Sequence, residues 1–423
     1  MKESKELLRI ALPAMVEQFL QMLMGFVDNY LVAQLGIIAV SGVSIANNML
    51  AIYQALFIAI GGAISSLLSR HLAQKKISKQ FQSITDALLL TTLISLLLGF
   101  LSIIGSKNLL SMLGASAPVA RSGGLYLAIV GGGIISLGLL TSLGAIVRVQ
   151  GHTRLPMEVS LLTNLLNALL SALSIYIFQF GIAGVAFSTV IARLIGVTFL
   201  IKKLSLQEVF RHLRWPLDKE LLSMVLPAAG ERLMMRAGDV VVVAIVVTFG
   251  SEVVAGNAVG ETLTQFNYLP AMAISVATVI EVASNISAHP RSVREIVKSS
   301  FWLSVIMMYS LASAIFILKA PLTSLFLSDL QATQASYLVI LFSLVGVPVT
   351  AGTLIMTATW QGLGNAKVPF YATSLGMWLV RIGLGYLLGV VAQLGLSGVW
   401  LATVLDNLFR WFFLSYLYKR GCA

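Results

Sequence analysis

Two carboxylates lie within the first apolar stretch of the chain, where little water is available to solvate them. Glu17 and Asp28 are eleven residues apart, which places both on one face of a helix, about 16 Å apart along its axis. Ionisable side chains inside apolar spans are costly and usually functional. Because burial disfavours the charged form of a carboxyl group, Asp28 can take up a proton on one side of a membrane and release it on the other. We predict ion coupling at Asp28 and Glu17; the alternatives are interhelical hydrogen bonding for Asp28 and a structural role for Glu17.

Amide side chains on two further helices have the chemistry to complete a polar site around Asp28. Asn47 lies in the second span, and Asn164 and Asn167 are three residues apart on one face of the fifth. We add these amides to the ion-coupling residues. The oxygen atoms of Asp28, Asn164 and Asn167 also suit a sodium ion, a hard cation that prefers oxygen ligands. The alternative for the amides is hydrogen bonding that joins neighbouring helices.

The second half of the chain carries more charge inside its spans. Glu231, Arg236 and Asp239 lie in the seventh span and Glu261 in the eighth. Glu261 has no obvious partner on its own helix, so we predict that these residues bind substrate and that Glu261 attracts a cationic group. Alternatively, Arg236 and Asp239 are spaced to pair with each other.

Two apolar residues and one further charged pair complete the set of candidates. Met24 and Tyr53 are candidates for an adaptable substrate-binding wall, because methionine and aromatic surfaces repack around varied ligands; simple packing is the alternative. Asp406 and Arg410 are four residues apart with the acid first, an order that favours a structural ion pair.

The elements that position these residues are apolar helices. Of the 423 residues, 58% are hydrophobic and 11% are charged, and about 20 apolar residues cross a bilayer as a helix. Open sheet edges do not survive in lipid. We therefore predict an all-α polytopic membrane protein with twelve transmembrane helices, at residues 8–34, 40–68, 83–105, 120–147, 156–178, 181–201, 221–249, 253–287, 297–318, 331–360, 367–390 and 394–418.

An internal repeat organises the twelve spans. The stretch Leu12-Pro13-Ala14-x-x-Glu17 recurs as Leu226-Pro227-Ala228-x-x-Glu231, and the offset of 214 continues almost to the chain end. This predicts two homologous six-helix lobes, residues 1–201 and 221–423, around a central cavity. Residues 202–220 form a cytoplasmic linker that is either amphipathic and membrane-bound or a solvated tether. Because homologous membrane halves usually enclose a site that opens to alternate sides, we expect transport by a rocking motion of the lobes.

Lysine and arginine predict the orientation of the spans. With both termini in the cytoplasm, the outer loops hold only Lys107, Arg121 and Lys319, which is a positive-inside pattern. This pattern accounts for the net charge of +11 without a nucleic-acid partner. We expect a monomer embedded in the lipid of a cell membrane.

Several kinds of site are not expected. The single cysteine, Cys422, allows no internal disulfide and no cysteine metal cluster. His71, His152, His212 and His289 fall in predicted cytoplasmic loops without metal-ligand spacing. No glycine-rich phosphate-binding loop with Lys-Ser or Lys-Thr is present. The sequence therefore predicts no enzyme, no metal centre and no cofactor besides a driving ion.

Ordered motifs in both halves resemble one transporter family. Residues 12–36 resemble the first helix of bacterial members of the multidrug and toxic compound extrusion (MATE) family, with its LP-x-x-x-E, V-D and LG arrangement, and residues 226–250 resemble the seventh. The segments 150–156 and 361–369 resemble its R-G-x-G loops, with Gln where Arg is commoner. The resemblance implies an antiporter that exports organic compounds against an inward flow of protons or sodium ions.

The coupling ion stays open in this comparison. Members of the family often pair the first-helix Asp with an Asp in the fifth helix, and this chain has Ser171 at that position. One subgroup also has an acid in the tenth helix, and this chain has no acid around Thr350.

Three functions are compatible with these features. The favoured one is a secondary antiporter that exports amphipathic organic cations in exchange for protons, or sodium ions. The alternative is a flippase for lipid-linked precursors from the same superfamily, which a large cationic cavity and extra spans would favour. A non-transporting scaffold or membrane enzyme comes last, because no catalytic constellation is present.

Overall fold

Helices make up the regular structure of the described part of the chain. The computed structural model describes residues 2–204, 209, 211, 217–286 and 290–421, and no strand occurs in them. The predictions for His212, His289 and Cys422 concern positions outside these residues.

The predicted spans of the first half are helices. They are α1 (Lys2–Ala33), α2 (Ile37–Ala73), α3 (Ile77–Met112), α4 (Ala117–Gly132), α5 (Ile135–Val149), α6 (Leu155–Tyr176) and α7 (Gly181–Ile201). The fourth predicted span consists of α4 and α5, whose axes differ by 45°.

The predicted spans of the second half are helices as well. They are α8 (Lys219–Val247), α9 (Ser251–Asn285), α10 (Pro290–Ile317), the short α11 (Lys319–Ser324), α12 (Leu330–Val345), α13 (Val347–Gly362), α14 (Lys367–Leu375) and α15 (Gly395–Gly421). After α14 the chain continues as π-helix over Gly376–Leu384 and Leu387–Val391. The tenth predicted span consists of α12 and α13, bent by 58°.

Most of these helices can cross a membrane. Within the described residues, eight are long and apolar enough, and the two bent pairs raise the number to ten. The remaining predicted spans correspond to α8 and α15, which fall outside this group. Both are helical as predicted, and their crossing of the membrane stays a prediction.

The repeat extends to backbone geometry. Gly36 and Gly250, 214 residues apart, turn the chain with φ of 100° and 105°, values that glycine adopts without the steric cost of a Cβ. Gly181 and Gly395 form a second matched pair, with φ of 56° and 58°. The breaks in the two bent spans also fall at equivalent positions, which supports two copies of one folding pattern.

Contacts divide the chain into two compact units. We call Val16–Val225 the N unit, and Met1–Met15 together with Leu226–Ala423 the C unit. The limits fall inside α1 and α8, so the first turns of α1 group with the C unit and those of α8 with the N unit. The lobe limits expected from the sequence stay a prediction.

The described residues of the predicted linker are docked on the N unit. Val209 and Leu217 are buried in its apolar core. Thr85 Oγ1 donates to the carbonyl oxygen of Val209 at 2.9 Å, and Asp86 Oδ2 accepts from the backbone N–H of Asp218 at 3.3 Å. The sequence predicted a linker that lies on the membrane or is a solvated tether, and neither expectation included docking on the N unit.

Candidate functional site

A polar cluster lies inside the N unit, between α1, α6 and α7. Asn167 Nδ2 donates to both carboxylate oxygens of Asp28, at 3.1 and 3.3 Å. Asn167 Oδ1 accepts from the hydroxyl groups of Ser171 and Thr189, each at 3.3 Å. Asn167, Ser171 and Thr189 are buried, whereas Asp28 is partly exposed. Because a satisfied buried network holds its members in place, the amide orients the carboxylate. The structure thus brings together Asp28 and Asn167, as predicted.

A guanidinium group belongs to the same cluster. Arg193 lies on α7, four residues after Thr189, and its charge acts on Asp28 and on the buried Tyr126 of α4. Asp28 nevertheless accepts hydrogen bonds from Asn167 and not from Arg193. Arg193 Nη1 is buried and has no hydrogen-bond partner in the described part of the chain. The cluster therefore contains one carboxylate and one guanidinium that are close but not bonded to each other.

Two of the predicted amides do not join this cluster. Asn47 is half-buried and is not among the described hydrogen-bond partners of Asp28. Asn164 is also separate, since its Nδ2 is buried without a partner among the described residues. The spacing of Asn164 and Asn167 on one face of α6 does not show which of them contacts Asp28. In the structure, Asn167 makes this contact with α1.

The geometry around Asp28 fits sodium poorly. Asn167 presents its amide nitrogen to the carboxylate, while its oxygen is engaged by two hydroxyl groups. The positive charge of Arg193 also acts on this position, and it repels a second cation. The expected sodium ligands Asp28, Asn164 and Asn167 are therefore not arranged as an oxygen cage.

Glu17 forms an ion pair elsewhere in the N unit. Its Oε2 lies 2.5 Å from Nη2 of Arg148 in the last turn of α5, and the two side chains are only 19% and 10% exposed. The carboxylate of Glu17 is thus paired with Arg148 and is not part of the polar cluster around Asp28. This contact supports the structural alternative for Glu17.

A second polar cluster lies inside the C unit. Arg381 Nη1 is 3.3 Å from Asp239 Oδ1, and Arg381 Nε donates to the hydroxyl group of Thr403 at 3.2 Å. The alternative of a pair between Asp239 and Arg236 is therefore not realised, since Asp239 pairs with Arg381 and Arg236 is exposed. Substrate binding by these residues stays a prediction. Spacing of three residues permits a pair on one helix, but in the structure the ion-pair partner of Asp239 is Arg381, which lies on another helix.

Glu261 has a partner on its own helix, which corrects the expectation that it has none. Asn257, one turn earlier on α9, hydrogen-bonds to Glu261, and the charges of Arg381 and Asp239 act on the same carboxyl group. Trp400 Nε1 fixes Asn257 by donating to its Oδ1 at 2.9 Å. The cluster holds two carboxyl groups and one guanidinium, so its ionised form carries excess negative charge.

The other predicted charged residues of the C unit are bonded internally. Glu231 is 5% exposed and accepts from Thr373 at 3.2 Å and from Gln361 at 3.5 Å. This burial favours a packing role for Glu231 over contact with substrate. The predicted pair of Asp406 and Arg410 is present at 2.6 Å and almost fully buried.

Met24 and Tyr53 are buried in the N unit. Their exposed fractions are 8% and 5%, and the hydroxyl group of Tyr53 lies 3.1 Å from that of Ser102. This arrangement matches the packing alternative, and a role in substrate binding stays a prediction.

The expectation that His71 lies in a loop is wrong. His71 is buried in the last turn of α2, with Nδ1 3.0 Å from the hydroxyl group of Ser83. His152 lies in the turn between α5 and α6, as expected. Within the described residues, no group of three or more His, Cys, Asp or Glu side chains is arranged to hold a metal ion.

The family model called MatE matches the chain twice, at residues 13–173 and at residues 227–387. The two matches begin and end 214 residues apart, which is the offset of the internal repeat. The chain belongs to the MATE family. It is accordingly a multi-pass membrane transporter.

Relatives of this MATE protein align along almost its whole length. The probable multidrug resistance protein NorM of Thermotoga maritima is 28% identical, over 96% of this chain and 90% of the relative. The uncharacterized transporter YisQ of Bacillus subtilis is 26% identical, over 94% and 90%.

Solved structures share the fold of this MATE protein. A crystal structure of MATE in the straight conformation has a TM-score of 0.90 at 19% identity, covering 99% of this chain and 96% of that one. A MOP superfamily transporter from Pyrococcus furiosus has a TM-score of 0.90 at 18% identity, covering 99% and 95%. The all-α fold predicted from the sequence is confirmed.

The two polar clusters of this MATE protein occupy matching positions of the repeat. At the offset of 214, Thr189 corresponds to Thr403, Asn167 to Arg381, and Arg193 to Asn407. Asparagine and arginine have thus exchanged places between the halves. In the C unit, Arg381 forms an ion pair with Asp239 of α8. In the N unit, Asn167 at the equivalent position donates a hydrogen bond to Asp28 of α1.

Sequence reasoning missed most partners in both clusters of the MATE protein. Thr189 and Tyr126 were not candidates, and Ser171 was noted only as a missing acid. Arg381 was not connected with Asp239. The repeat held a usable signal, because polar residues at equivalent positions of the sixth and twelfth spans mark one face of each helix.

Proposed function

We propose that this MATE protein exports amphipathic organic cations in exchange for protons and that Asp28 accepts the proton. The observation that carries the proposal is the position of Asp28, which is partly exposed while the side chains that hold it are buried. A carboxyl group with little surrounding water takes up a proton more readily than one in solution. Intramembrane acids of this kind mark ion pathways.

The chemistry around Asp28 favours a proton over sodium as the coupling ion. Protonation needs only one free lone pair on the carboxylate, whereas sodium needs several converging oxygen atoms. Asn167 directs a donor, not an oxygen, at Asp28, and the guanidinium of Arg193 opposes a second positive ion nearby.

Competition at one carboxylate accounts for exchange. Ionised Asp28 attracts a cationic group of the substrate, and protonated Asp28 does not, so binding of the proton and of the substrate are coupled with opposite sign. In the C unit, Asp239 and Glu261 supply further negative charge, with Arg381 offsetting part of it. These residues are the proposed additional attraction for cationic substrates.

We further propose a bacterial inner membrane location, with both termini in the cytoplasm, and alternating access by movement of the two units. Support for the orientation comes from the scarcity of Lys and Arg in the predicted outer loops.

The test uses Asp28→Asn in cells that load a cationic dye. The variant should lose export driven by the proton gradient while remaining in the membrane, and collapse of the proton gradient alone should stop export by the wild type. Asp329→Asn is the matched control, because Asp329 caps α12 through its side chain and asparagine caps equally well. Normal export by Asp28→Asn, or export that follows the sodium gradient, would contradict the proposal.

A further inference from the structure

The two cationic residues at the predicted outer end of the N unit lie on packed helices. Lys107 is near the end of α3 and Arg121 is near the start of α4, and both are exposed. A Cβ on Gly124 of α4 would lie 3.1 Å from Lys107 Cγ, so the stem of the lysine packs against the backbone of α4. Arg121 is three residues before Gly124, about 4.5 Å along the same helix. The two positive charges therefore share one surface.

No acidic side chain in this part of the sequence balances the two charges. The sequence contains no Asp or Glu between Asp86 and Glu158, a range that includes all of α4 and α5 and the outer end of α3. Neither cation forms an ion pair in the described part of the chain. The surface is therefore positive, and its charges are available to an anion from outside the protein.

Exposed apolar side chains continue from both cations toward the predicted membrane interior. On α3, Ile103 and Ile104 are one turn before Lys107 and are 60% and 68% exposed. On α4, Leu125 is one turn after Arg121 and is 47% exposed. Lys and Arg at the end of a span place their charge at the level of the lipid headgroups, while their stems cover apolar surface. One surface therefore offers positive charge at its outer end and apolar side chains beneath it.

The third cation of the predicted outer loops is engaged within its own unit. Lys319, at the start of α11 in the C unit, places Nζ 4.0 Å from the ring centre of Phe316 and 5.1 Å from that of Tyr337. No ring in the described residues receives Lys107 or Arg121 in this way. The available positive charge of the predicted outer loops is therefore concentrated on the N unit.

We propose that this surface binds an anionic phospholipid. Its phosphate group contacts Lys107 and Arg121, and an acyl chain lies against Ile103, Ile104 and Leu125. Charge complementarity favours a phosphate headgroup, because the arginine fork matches phosphate and lysine adds a point charge. The apolar side chains favour a lipid over a free phosphate ion, since a soluble anion makes no contact with them and leaves them uncovered.

The test uses a photoactivatable phosphatidylglycerol that carries a diazirine in one acyl chain. The full-length protein in a neutral detergent is titrated with this lipid and irradiated, and mass spectrometry measures the labelling of α3 and α4. Phosphatidylcholine with the same chain is the control lipid, because its choline group cancels the charge of the phosphate. Lys319→Gln is the matched control variant, since it removes one cation of the predicted outer loops that already faces two rings.

The wild type should be labelled at Ile103, Ile104 and Leu125, and at lower concentrations of phosphatidylglycerol than of phosphatidylcholine. Arg121→Gln should raise the concentration of phosphatidylglycerol for half-maximal labelling about fivefold. This corresponds to about 1 kcal/mol, the usual contribution of one Lys or Arg beside an anionic lipid surface. Lys107→Gln should act in the same way, and Lys319→Gln should leave the labelling unchanged.

Several results would overturn the proposal. Equal labelling by the two lipids, or unchanged labelling of Arg121→Gln, would show that the two cations do not bind the headgroup. An equal loss in Lys319→Gln would show that net charge alone attracts the lipid. Displacement of the lipid by an equal concentration of glycerol phosphate would identify a site for a free phosphate group. If Lys107→Gln does not fold, because its stem packs on α4, the exposed Arg121 decides alone.

Discussion

At the scale of single residues, two carboxylates on one helix have separate tasks. Glu17 is bound to Arg148 at 2.5 Å, and Asp28 is held by Asn167. An ion pair that is largely shielded from water stabilises the fold only while both partners are present. Glu17 is therefore expected to act on stability and Asp28 on coupling.

Replacing Glu17 by Gln should destabilise the protein without changing its driving ion. The change leaves Arg148 charged and unpaired, which costs about 3 kcal/mol for a buried pair. Thermal unfolding in detergent measures the loss, and dye export under a proton gradient tests coupling. The double variant Glu17→Gln/Arg148→Gln should recover part of the stability; losses that merely add would show that the two side chains do not act as a pair.

At the scale of elements, the helix that carries Arg381 is wound differently from its repeat partner α6. Residues Gly376–Leu384 form a π-helix. This type of helix is rare in proteins, and where it does occur it is often at a functional site. A Cβ at Gly376 would lie 2.8 Å from Arg410 Cγ and closer still to Asp406 Oδ1. The winding therefore brings this helix as near to α15 as glycine permits.

Replacing Gly376 by Ala should destabilise the C unit. The added methyl group collides with the buried pair of Asp406 and Arg410, and overpacking of this kind costs about 1–3 kcal/mol. Gly383→Ala is the control in the same π-helical segment, since its Cβ would meet only Trp378 O, at 3.8 Å. Thermal unfolding of both variants decides the point, and equal stability would mean that the close approach is unimportant.

The docked linker is a second feature at the scale of elements. Thr85→Val removes the hydrogen bond to the carbonyl group of Val209 with little change in shape. Loss of this hydrogen bond should weaken the docking of the linker by about 1 kcal/mol. Trypsin cleavage after the exposed Arg211 should therefore become about fivefold faster. Thr92→Val is the control, because Thr92 bonds to Leu88 of its own helix. Equal cleavage rates for the two variants would show that this contact does not hold the linker.

At the scale of the whole molecule, the repeat predicts motion between two equivalent halves. Spin labels at positions 38 and 252, which the offset of 214 makes equivalent, report on this motion once Cys422 has been replaced by Ser. The distribution of distances between the labels should change between acidic and alkaline conditions in the wild type, because the protonation of Asp28 selects between states. In Asp28→Asn the distribution should no longer respond to pH. A response that persists in this variant would assign the switch to another group.

Much of this architecture was predictable from periodic apolar runs and from the repeat. Helices form wherever the spans were placed, because a long apolar segment in lipid must satisfy its own backbone hydrogen bonds. The ion pair of Asp406 and Arg410 was equally predictable, since residues four apart on a helix meet whatever the rest of the chain does. Asp28 was also identifiable, because an acid in an apolar span stands out by type alone.

Contacts between distant helices were decided only by the tertiary structure. Asp28 and Asn167 are 139 residues apart, and Arg381 and Asp239 are 142 apart. Which of Asn164 and Asn167 meets α1, and whether Asp239 turns to Arg236 or to Arg381, depends on how the helices rotate and pack. That rotation is set by many small contacts over each whole helix face, which a single sequence does not reveal. The sequence by itself therefore determined the helices, the repeat and the charged residues inside the predicted spans. The packing alone decided which charges on different helices are paired, and it left Arg193 with an unpaired donor.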